Sequence, residues 1–253
     1  MRRFLPWVVP VTLLLVWQAA SKAGLMRPEF LPAPSTIAVT AVNLLMSGEL
    51  WMHVRTSAWR ALTGFAVGGS IGFILGMANG LSARSELLLD STLQMVRNIP
   101  NLAMLPLVIL WFGIGEEAKL FLVALGVFFP LYVNTLHGVR SVDQQLMEMG
   151  RAYGMSDRQL FLRVVLPGAL PSVFVGVRYG LGIMWLTLIV AETIAASSGI
   201  GYMAMQAREF LRVDVVVLSI LIYALLGKLA DSAARVLERR CLGWHPAFQK
   251  GPA

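Results

Sequence analysis

Six long apolar stretches with almost no charged residues constrain the fold of this 253-residue chain more than any other feature. A bilayer core about 30 Å thick is crossed by about 20 predominantly apolar residues of helix. Each stretch has roughly that length, so the sequence predicts an all-α membrane protein with six transmembrane helices. The predicted spans are residues 4–21, 61–83, 99–115, 120–136, 168–191 and 215–231.

The composition excludes a soluble globular protein. Hydrophobic residues make up 57% of the chain and charged residues 14%, whereas a typical soluble domain carries about 25% charged residues. In a soluble protein the net charge of +7 would indicate nucleic-acid binding. In a membrane protein Lys and Arg collect on cytoplasmic loops, so we expect lipid and no nucleic acid as a partner. The single cysteine, Cys241, excludes an internal disulfide.

The distribution of Lys and Arg predicts the side on which each loop lies. With the N-terminus inside the cell, 13 of the 21 basic residues lie on inner segments and 7 on outer ones, and Arg178 lies within a span. This excess places both termini in the cytoplasm, with residues 1–253 forming one transmembrane domain. Arg2 and Arg3 precede the first span as in a secretory signal, but residues 21–24 form a poor cleavage site, so we expect the span to be retained.

A further apolar stretch, residues 36–46, is too short to cross the bilayer. Ser35 is placed to cap it as a helix, and Ser47 with Gly48 is placed to end it. We expect this helix to lie along the outer membrane surface.

The longest inner loop, residues 138–167, carries the most informative pattern in the sequence. Residues 141–144 and 156–159 both read Ser-x-x-Gln, the pattern of a capping box at a helix start. Gly154 lies between them, where a helix commonly ends in a left-handed residue that glycine adopts without strain. The sequence therefore predicts a rigid helix–turn–helix on the cytoplasmic face, which Pro167 closes as the fifth span begins.

The spacing within this loop resembles the EAA loop of ABC importer permeases. That family pattern reads Glu-Ala-Ala, three residues, Gly, nine residues, then Ile, any residue and Leu-Pro. The chain keeps the pattern at Glu148, Gly154, Leu166 and Pro167. It departs at Met149 and Gly150, where the family has alanines, and at Val164, where the family has isoleucine. Because glycine lowers helix propensity by about 1 kcal/mol relative to alanine, the helix before the turn is expected to be less rigid.

The resemblance implies a type I ABC importer permease fold, with the loop docking on a separate ATPase. The residues that it assigns to this contact are Glu148, Gly150, Ala152, Gly154, Ser156, Asp157, Leu166 and Pro167. It also implies a homodimer of permeases, two cytoplasmic ATP-binding subunits and a periplasmic substrate-binding protein. ATP and Mg²⁺ would be bound by the ATPase subunits, with no cofactor or metal bound by this chain.

Segments outside the loop resemble the nitrate, sulfonate and taurine branch of these permeases, and within it the aliphatic sulfonate permeases. The segments similar to the branch are residues 60–65, 97–100, 106–113, 166–172 and 191–194. Those similar to the sulfonate permeases are residues 48–51, 96–98, 134–138, 184–192 and 223–231. The resemblance implies ATP-driven import of aliphatic sulfonates, with taurine, nitrate or another small anion as the alternative substrate.

Polar side chains within the fifth predicted span are candidates for the translocation pathway. Arg178 lies 11 residues past Pro167, about 16 Å along a helix. A charge at that depth suggests a role in the pathway or in an ion pair; alternatively, it extends to the inner headgroups. Trp185 and Glu192 share its face approximately. Because the Glu192 carboxylate would repel a sulfonate, we expect this residue to have a structural role or to pair with a cation.

Two other segments have two interpretations each. Pro100 and Pro106 free backbone groups in the third predicted span, so this span is expected to face inward, where protein or water satisfies them, unless the prolines only serve helix packing. The outer segment with Ser197, Ser198, Gly199 and Gly201 is expected to be flexible. It either contacts the binding protein or simply connects two spans.

Two other classes of membrane protein fit the sequence less well. A free-standing channel or secondary transporter would share six spans, but it has no need of the cytoplasmic helix–turn–helix. A membrane-embedded enzyme would need a constellation such as a His-Glu-x-x-His helix, and the sequence contains none. It also lacks a Gly-x-x-x-x-Gly-Lys-Ser/Thr loop, so ATP hydrolysis is expected only in a partner subunit.

Overall fold

The structure is a computed structural model that describes residues Leu5 to Trp244, and nearly all of them are helical. The α-helices are α1 (Leu5–Lys22), α2 (Pro34–Met46), α3 (Glu49–Leu81), α4 (Ala83–Arg97), α5 (Leu105–Phe112), α6 (Glu116–Arg140), α7 (Gln144–Ala152), α8 (Asp157–Leu160), α9 (Leu166–Ala195), α10 (Ile200–Glu209) and α11 (Val213–Cys241). A 3-10 turn (Asn101–Met104) precedes α5, and a π-helical turn (Phe161–Val165) precedes α9. Arg2, Arg3 and residue 4, where the first span was predicted to start, lie outside the described residues.

Four helical stretches among the described residues are long and apolar enough to cross a bilayer. They are α3, α6, α11 and the continuous stretch Asp157–Ile194 that contains α9, and they correspond to the second, fourth, sixth and fifth predicted spans. α1 contributes a shorter apolar helix, Val8–Lys22. The observed helices extend beyond the predicted spans because a charged residue ends an apolar stretch without ending a helix; α3, for example, already begins at Glu49.

The third predicted span, residues 99–115, is not a single helix. α4 and the stretch Asn101–Phe112 meet there at an angle of 81°, which makes them a broken span or a re-entrant loop. Pro100 has extended backbone angles and disfavours helix at the residue before it. Pro106 lies in the first turn of α5, where its missing N–H leaves no bond unmade. The two prolines therefore separate short helices instead of bending one long helix.

The first of two compact units comprises the chain up to Ala58 together with Glu192–Leu225. It contains α1, α2 and α10 and the first parts of α3 and α11. Its buried apolar side chains include Ile37, Leu44, Ile200 and Met203. A hydrogen bond from Thr40 Oγ1 to Asp214 Oδ2, at 2.7 Å, links α2 to the start of α11.

α2 begins differently from the sequence prediction and ends as predicted. Its first residue is Pro34, and the capping position is held by Ala33, which makes no side-chain bond. The prediction that Ser35 caps this helix is wrong, because proline's fixed φ favours the first helical position. The backbone N–H of Ser35 instead donates to Gln18 Oε1 at 3.0 Å. The predicted end is confirmed, with Gly48 at φ +79°.

The second unit comprises Trp59–Ala191 and the described residues from Leu226 onward. Within it α3 and α6 pack closely along a row of glycines on α3, spaced four residues apart. A Cβ atom at Gly76 would lie 2.7 Å from the Tyr132 carbonyl oxygen, and one at Gly68 would overlap the Ala124 carbonyl. Small residues allow helix backbones to approach in this way inside membranes. A buried core of Ala61, Val123, Val127, Leu131, Met184 and Leu188 joins α3 and α6 to α9.

Candidate functional site

The turn after α7 has the glycine geometry that the sequence predicts. Gly154 has φ +74°. The N–H of Met155 donates to the carbonyl of Gly150 at 3.0 Å, and the N–H of Gly154 donates to that of Arg151 at 2.9 Å. This pair of bonds is a Schellman motif, which satisfies carbonyls left free at a helix end and requires a left-handed residue. The predicted glycine turn is confirmed.

One of the two predicted capping boxes is present. Ser156 Oγ accepts from the Gln159 N–H, while Gln159 Oε1 accepts from the Ser156 N–H at 2.9 Å, so the start of α8 is confirmed. The predicted box at residues 141–144 is wrong. Asp143 caps α7 by accepting from the Gln145 N–H at 2.8 Å. Ser141 ends α6 instead and donates to the Gly138 carbonyl.

Gly150 allows α8 to pack directly on α7. The residue is buried, and a Cβ atom there would lie 2.6 Å from Leu160 Cδ2. The lower helix propensity of Gly150 is therefore accompanied by a close contact between the two short helices. The loop presents exposed side chains at Glu148, Ala152, Ser156 and Asp157.

The helix that follows the turn does not restart at Pro167, contrary to the sequence prediction. Helical structure runs without a break from Asp157 to Ile194. Proline lacks an N–H and clashes with the carbonyl four residues earlier in a regular α-helix. The π-helical turn Phe161–Val165 lies immediately before Leu166 and Pro167, and its wider turn accommodates the proline. The loop and the fifth predicted span therefore form one continuous element.

Arg178 forms ion pairs with α11. Its Nε lies 3.1 Å from Asp231 Oδ1, and its Nη1 lies 3.7 Å from Glu238 Oε2. Arg235 also pairs with Asp231, at 2.9 Å. Of the two interpretations of Arg178, the structure supports the ion pair. Trp185, two turns further along α9, packs against the core that joins α9 to α3 and α6.

Glu192 is the centre of a buried polar cluster in the first unit. Its side chain is 1% exposed. Its carboxyl oxygens accept hydrogen bonds from Ser57 Oγ at 2.8 Å, from the Gly201 N–H at 2.9 Å and from the Tyr223 hydroxyl at 2.9 Å. These donors come from three separate segments of the chain. The structural role that the sequence favours for Glu192 agrees with this geometry.

The segment after α9 is bound by that cluster, so the prediction of a flexible outer segment is wrong at Gly199–Gly201. The Gly199 N–H donates to His53 Nδ1 at 3.0 Å, and the Ile200 N–H donates to Ser57 Oγ at 2.8 Å. Gly199 has φ +113°, and a Cβ atom there would overlap the Glu192 carboxyl group. His53 and Ser57 lie one helical turn apart on α3; this spacing was the available sequence signal for the cluster.

A cleft of about 440 Å³ in the second unit combines polar and apolar walls. Its polar side chains are those of Arg97, Asn101, Asn134 and Tyr179, and its apolar walls include Phe129, Val133 and Ile183. Of the predicted pathway residues, Pro100 lines this cleft. Pro106, Arg178, Trp185 and Glu192 are not among its lining residues. The sequence reasoning missed the cleft because its walls come from three distant segments.

Comparison with known proteins gives one family and several close relatives. Residues 68–242 match the family described as binding-protein-dependent transport system inner membrane component. A protein of Escherichia coli (strain K12) named as the aliphatic sulfonates transport permease SsuC is 59% identical, covering 97% of this chain and 94% of the relative. Its namesake in Bacillus subtilis (strain 168) is 44% identical, covering 96% and 88%. The taurine transport system permease protein TauC of Escherichia coli (strain K12) is 38% identical, covering 94% and 88%.

Solved structures share the fold at low sequence identity. A chain of an amino acid ABC transporter with histidines has a TM-score of 0.63 and 18% identity, covering 80% of this chain and 96% of that one. A chain of the inward-facing MetNI methionine ABC transporter has a TM-score of 0.59 and 20% identity, covering 73% and 94%.

Proposed function

The chain belongs to the family of inner membrane components of binding-protein-dependent transport systems, and from this premise we propose that it is the membrane-spanning permease of an ATP-driven importer for aliphatic sulfonates. It is a transport subunit of the bacterial inner membrane and not an enzyme. The observation that supports the substrate assignment is the identity of 59%, over nearly the full length, to a sulfonate permease. Identity falls to 38% for a taurine permease and 30% for a bicarbonate permease.

The proposed assembly is a homodimer of this chain with two cytoplasmic ATPase subunits and a periplasmic sulfonate-binding protein. ATP and Mg²⁺ would be bound by the ATPases. The support lies in the family, whose name includes the binding protein, and in the match of the inner loop to the EAA spacing at Glu148, Gly154, Leu166 and Pro167.

The proposed topology has six crossings with both termini in the cytoplasm. The charge distribution supports it, and so do the four long apolar helices. α1 would supply the first crossing, and α4 with the stretch Asn101–Phe112 would supply the third. Residues 138–167, which contain α7 and α8, would then face the ATPase.

The loop couples ATP hydrolysis to transport as a rigid lever. α7 and α8 are fixed to each other by the Schellman turn and by the contact of Leu160 with Gly150. Because helical structure continues from α8 into α9, a displacement of the loop moves the membrane helix with it. Glu148, Ala152, Ser156 and Asp157 are exposed and available for docking.

A deletion strain tests the substrate. Loss of this gene, with no second transporter present, is expected to abolish growth on an alkanesulfonate as sole sulfur source, and a plasmid copy is expected to restore it. Purified complexes in proteoliposomes should import alkanesulfonates and not nitrate. Continued growth of the deletion strain, or nitrate uptake by the complex, would contradict the proposal.

Taurine is the second candidate, favoured by the 38% identity to a taurine permease over 94% of this chain. Taurine is itself a sulfonate, whose short carbon chain ends in an amino group. Competition between taurine and an alkanesulfonate in the same uptake assay decides between them. Preference for taurine would move the assignment to that substrate while leaving the permease role unchanged.

A further inference from the structure

We infer that the cleft lined by Arg97, Asn101 and Tyr179 binds the substrate during its passage, with the sulfonate group at these polar side chains and the alkyl chain against the apolar lining residues. The inference rests on the proposed function for the identity of the substrate. The cleft lies wholly within the second unit and brings together the end of α4, the middle of α6 and the middle of α9.

The polar wall has the chemistry that an anion requires. Arg97 makes no ion pair among the described residues, and the Asn101 side chain and Tyr179 hydroxyl make no hydrogen bonds there. No carboxylate lines the cleft. A free guanidinium group, an amide and a hydroxyl therefore offer donors without a competing anion, and donors of this kind form strong charge-assisted bonds to oxyanions. Arg178, by contrast, is occupied by Asp231 and Glu238.

The apolar lining residues suit the alkyl part of the same molecule. Phe129, Val133 and Ile183 present aliphatic and aromatic surface. Gly126 also lines the cleft, and a Cβ atom there would come within 2.9 Å of Thr187 Oγ1 and 3.1 Å of Ile183 Cγ2. The absence of a side chain at Gly126 therefore allows α6 to approach α9 closely beside the cleft. A volume of about 440 Å³ lies in the ordinary range of about 300–1,000 Å³ for small-molecule sites.

The depth of the cleft argues against contact with lipid. Tyr179 lies 12 residues past Pro167, about 18 Å along the helix. Arg97, which the charge count assigned to an inner segment, lines the same cleft as Tyr179, and both are exposed in the single chain. Cationic and polar side chains at membrane depth face a water-filled path or a protein partner, because exposure to hydrocarbon is costly. An aqueous path fits the amphipathic walls, since a second protein surface would have to supply both an anion and an apolar group.

The first test is uptake by the complete complex in proteoliposomes, with ATPase and loaded binding protein. Arg97→Gln is expected to lower ATP-dependent uptake of a short alkanesulfonate by about tenfold or more, because it removes a charged hydrogen-bond donor. Arg97→Lys should restore part of the rate. Val133→Phe, which fills the apolar wall, should slow long-chain more than short-chain alkanesulfonates. Arg84→Gln is the matched control, since Arg84 is an exposed arginine of the same helix away from the cleft, and it should leave uptake unchanged.

The second test measures the charge of the cleft without transport. In the assembled complex, Val133→Cys in a Cys241→Ser background is treated with anionic 2-sulfonatoethyl and cationic 2-(trimethylammonium)ethyl methanethiosulfonate. After each rate is normalised to that of a small free thiol, the sulfonate reagent should be preferred by about fivefold or more. Arg97→Gln should remove that preference, and an alkanesulfonate should slow the labelling.

The outcomes separate the two proposals. If the wild-type complex carries alkanesulfonates but Arg97→Gln matches its uptake and labelling preference, the cleft assignment is overturned and the proposed function stands. If residue 133 reacts with neither reagent, the cleft faces lipid or a second copy of the chain, and the assignment is equally overturned. If the wild type carries another anion and no alkanesulfonate, the proposed function fails. Co-purification of the ATPase verifies assembly, and Arg97→Lys and Val133→Phe decide the test should Arg97→Gln not assemble.

Discussion

Gly154 and Gly199 both have a positive φ but differ completely in what surrounds them. Gly154, in the inner loop, has φ +74°, and a Cβ atom there would have no neighbour within 4 Å. Gly199, after α9, has φ +113°, and its Cβ position is occupied by the Glu192 carboxyl group. Backbone conformation alone selects glycine in the loop, whereas backbone conformation and packing both select it at Gly199.

The difference matches the work proposed for each region. The inner loop is held by bonds between residues close in sequence, and its outer face is exposed, so a partner can dock on it. The region around Glu192 is held by buried hydrogen bonds between distant segments. It therefore fixes helices to one another. Glycines with positive φ can thus serve both in an exposed docking loop and in a buried structural cluster.

The largest expected effect is that of removing the buried acceptor. Glu192→Ala leaves the Ser57 hydroxyl, the Gly201 N–H and the Tyr223 hydroxyl without the oxygens that they now bond. Each unsatisfied buried donor costs about 1–3 kcal/mol, so a total loss of roughly 3 kcal/mol or more is expected. This loss of stability is measured by thermal unfolding of the purified complex in detergent and by the abundance of the permease in cell membranes.

Glu192→Gln provides the control for this comparison. Glutamine keeps one acceptor oxygen and nearly the same volume, so it should retain most of the abundance that Glu192→Ala loses. Equal abundance of wild type and Glu192→Ala would show that the buried cluster is not an anchor.

The next largest effect on stability is expected when the same substitution is made at Gly199 and at Gly154. Gly199→Ala and Gly154→Ala both strain a backbone with positive φ, by about 1–2 kcal/mol at Gly154. At Gly199, where φ is +113° and ψ is 168°, the strain is about 1–3 kcal/mol, because almost only glycine adopts that conformation. Gly199→Ala must also displace the Glu192 carboxyl group, and overpacking of this kind adds about 1–3 kcal/mol. The melting temperature should therefore fall clearly further for Gly199→Ala than for Gly154→Ala. Equal decreases in melting temperature would mean that the buried cluster accommodates a Cβ atom as readily as the exposed loop does.

The sequence revealed the loop better than the buried cluster because the loop's determinants are local. The Ser-x-x-Gln pattern at residues 156–159 and the glycine at Gly154 each report on bonds within a few residues, and both features are present. The same reasoning misassigned the cap of α7, where Asp143 lies closer to the helix start than Ser141. It also misassigned the start of α2, where Pro34 precedes Ser35. Competing signals one or two residues apart are not resolved by pattern alone.

The buried cluster around Glu192 and the cleft could not be predicted from local sequence patterns. Ser57 and Glu192 are 135 residues apart, and only the packing of helices brings them together. Hydropathy located the long helices but treated residues 99–115 as one span, since it counts apolar residues and does not register an 81° bend. Residues 97–101, at that bend, form part of the cleft, so hydropathy could not predict the cleft.

The smallest effect on stability, and the most specific effect on function, is expected from Gly154→Val. A β-branched residue resists the positive φ at a cost of about 1–2 kcal/mol, which is confined to an exposed turn. A turn without the positive φ would break the Schellman bonds and shift α8 relative to α7, and with it the docking face. Because Gly154 lies outside the long apolar helices that cross the bilayer, insertion and permease abundance should stay near wild type, while transport is lost and less ATPase co-purifies.

Gly154→Asn supplies the matched control, because asparagine tolerates the left-handed conformation better than other residues that carry a side chain. It should retain transport and ATPase binding that Gly154→Val loses. Both variants are compared with wild type at equal permease abundance, by uptake in proteoliposomes and by ATPase pull-down. Because no atom of the chain lies within 4 Å of the Cβ position at Gly154, neither side chain meets a clash within the permease. A defect shared by both variants would therefore indicate that the docked ATPase leaves no room for a side chain at this position. Normal transport by Gly154→Val with its ATPase fully bound would remove the lever from the mechanism and leave the inner loop as a connector.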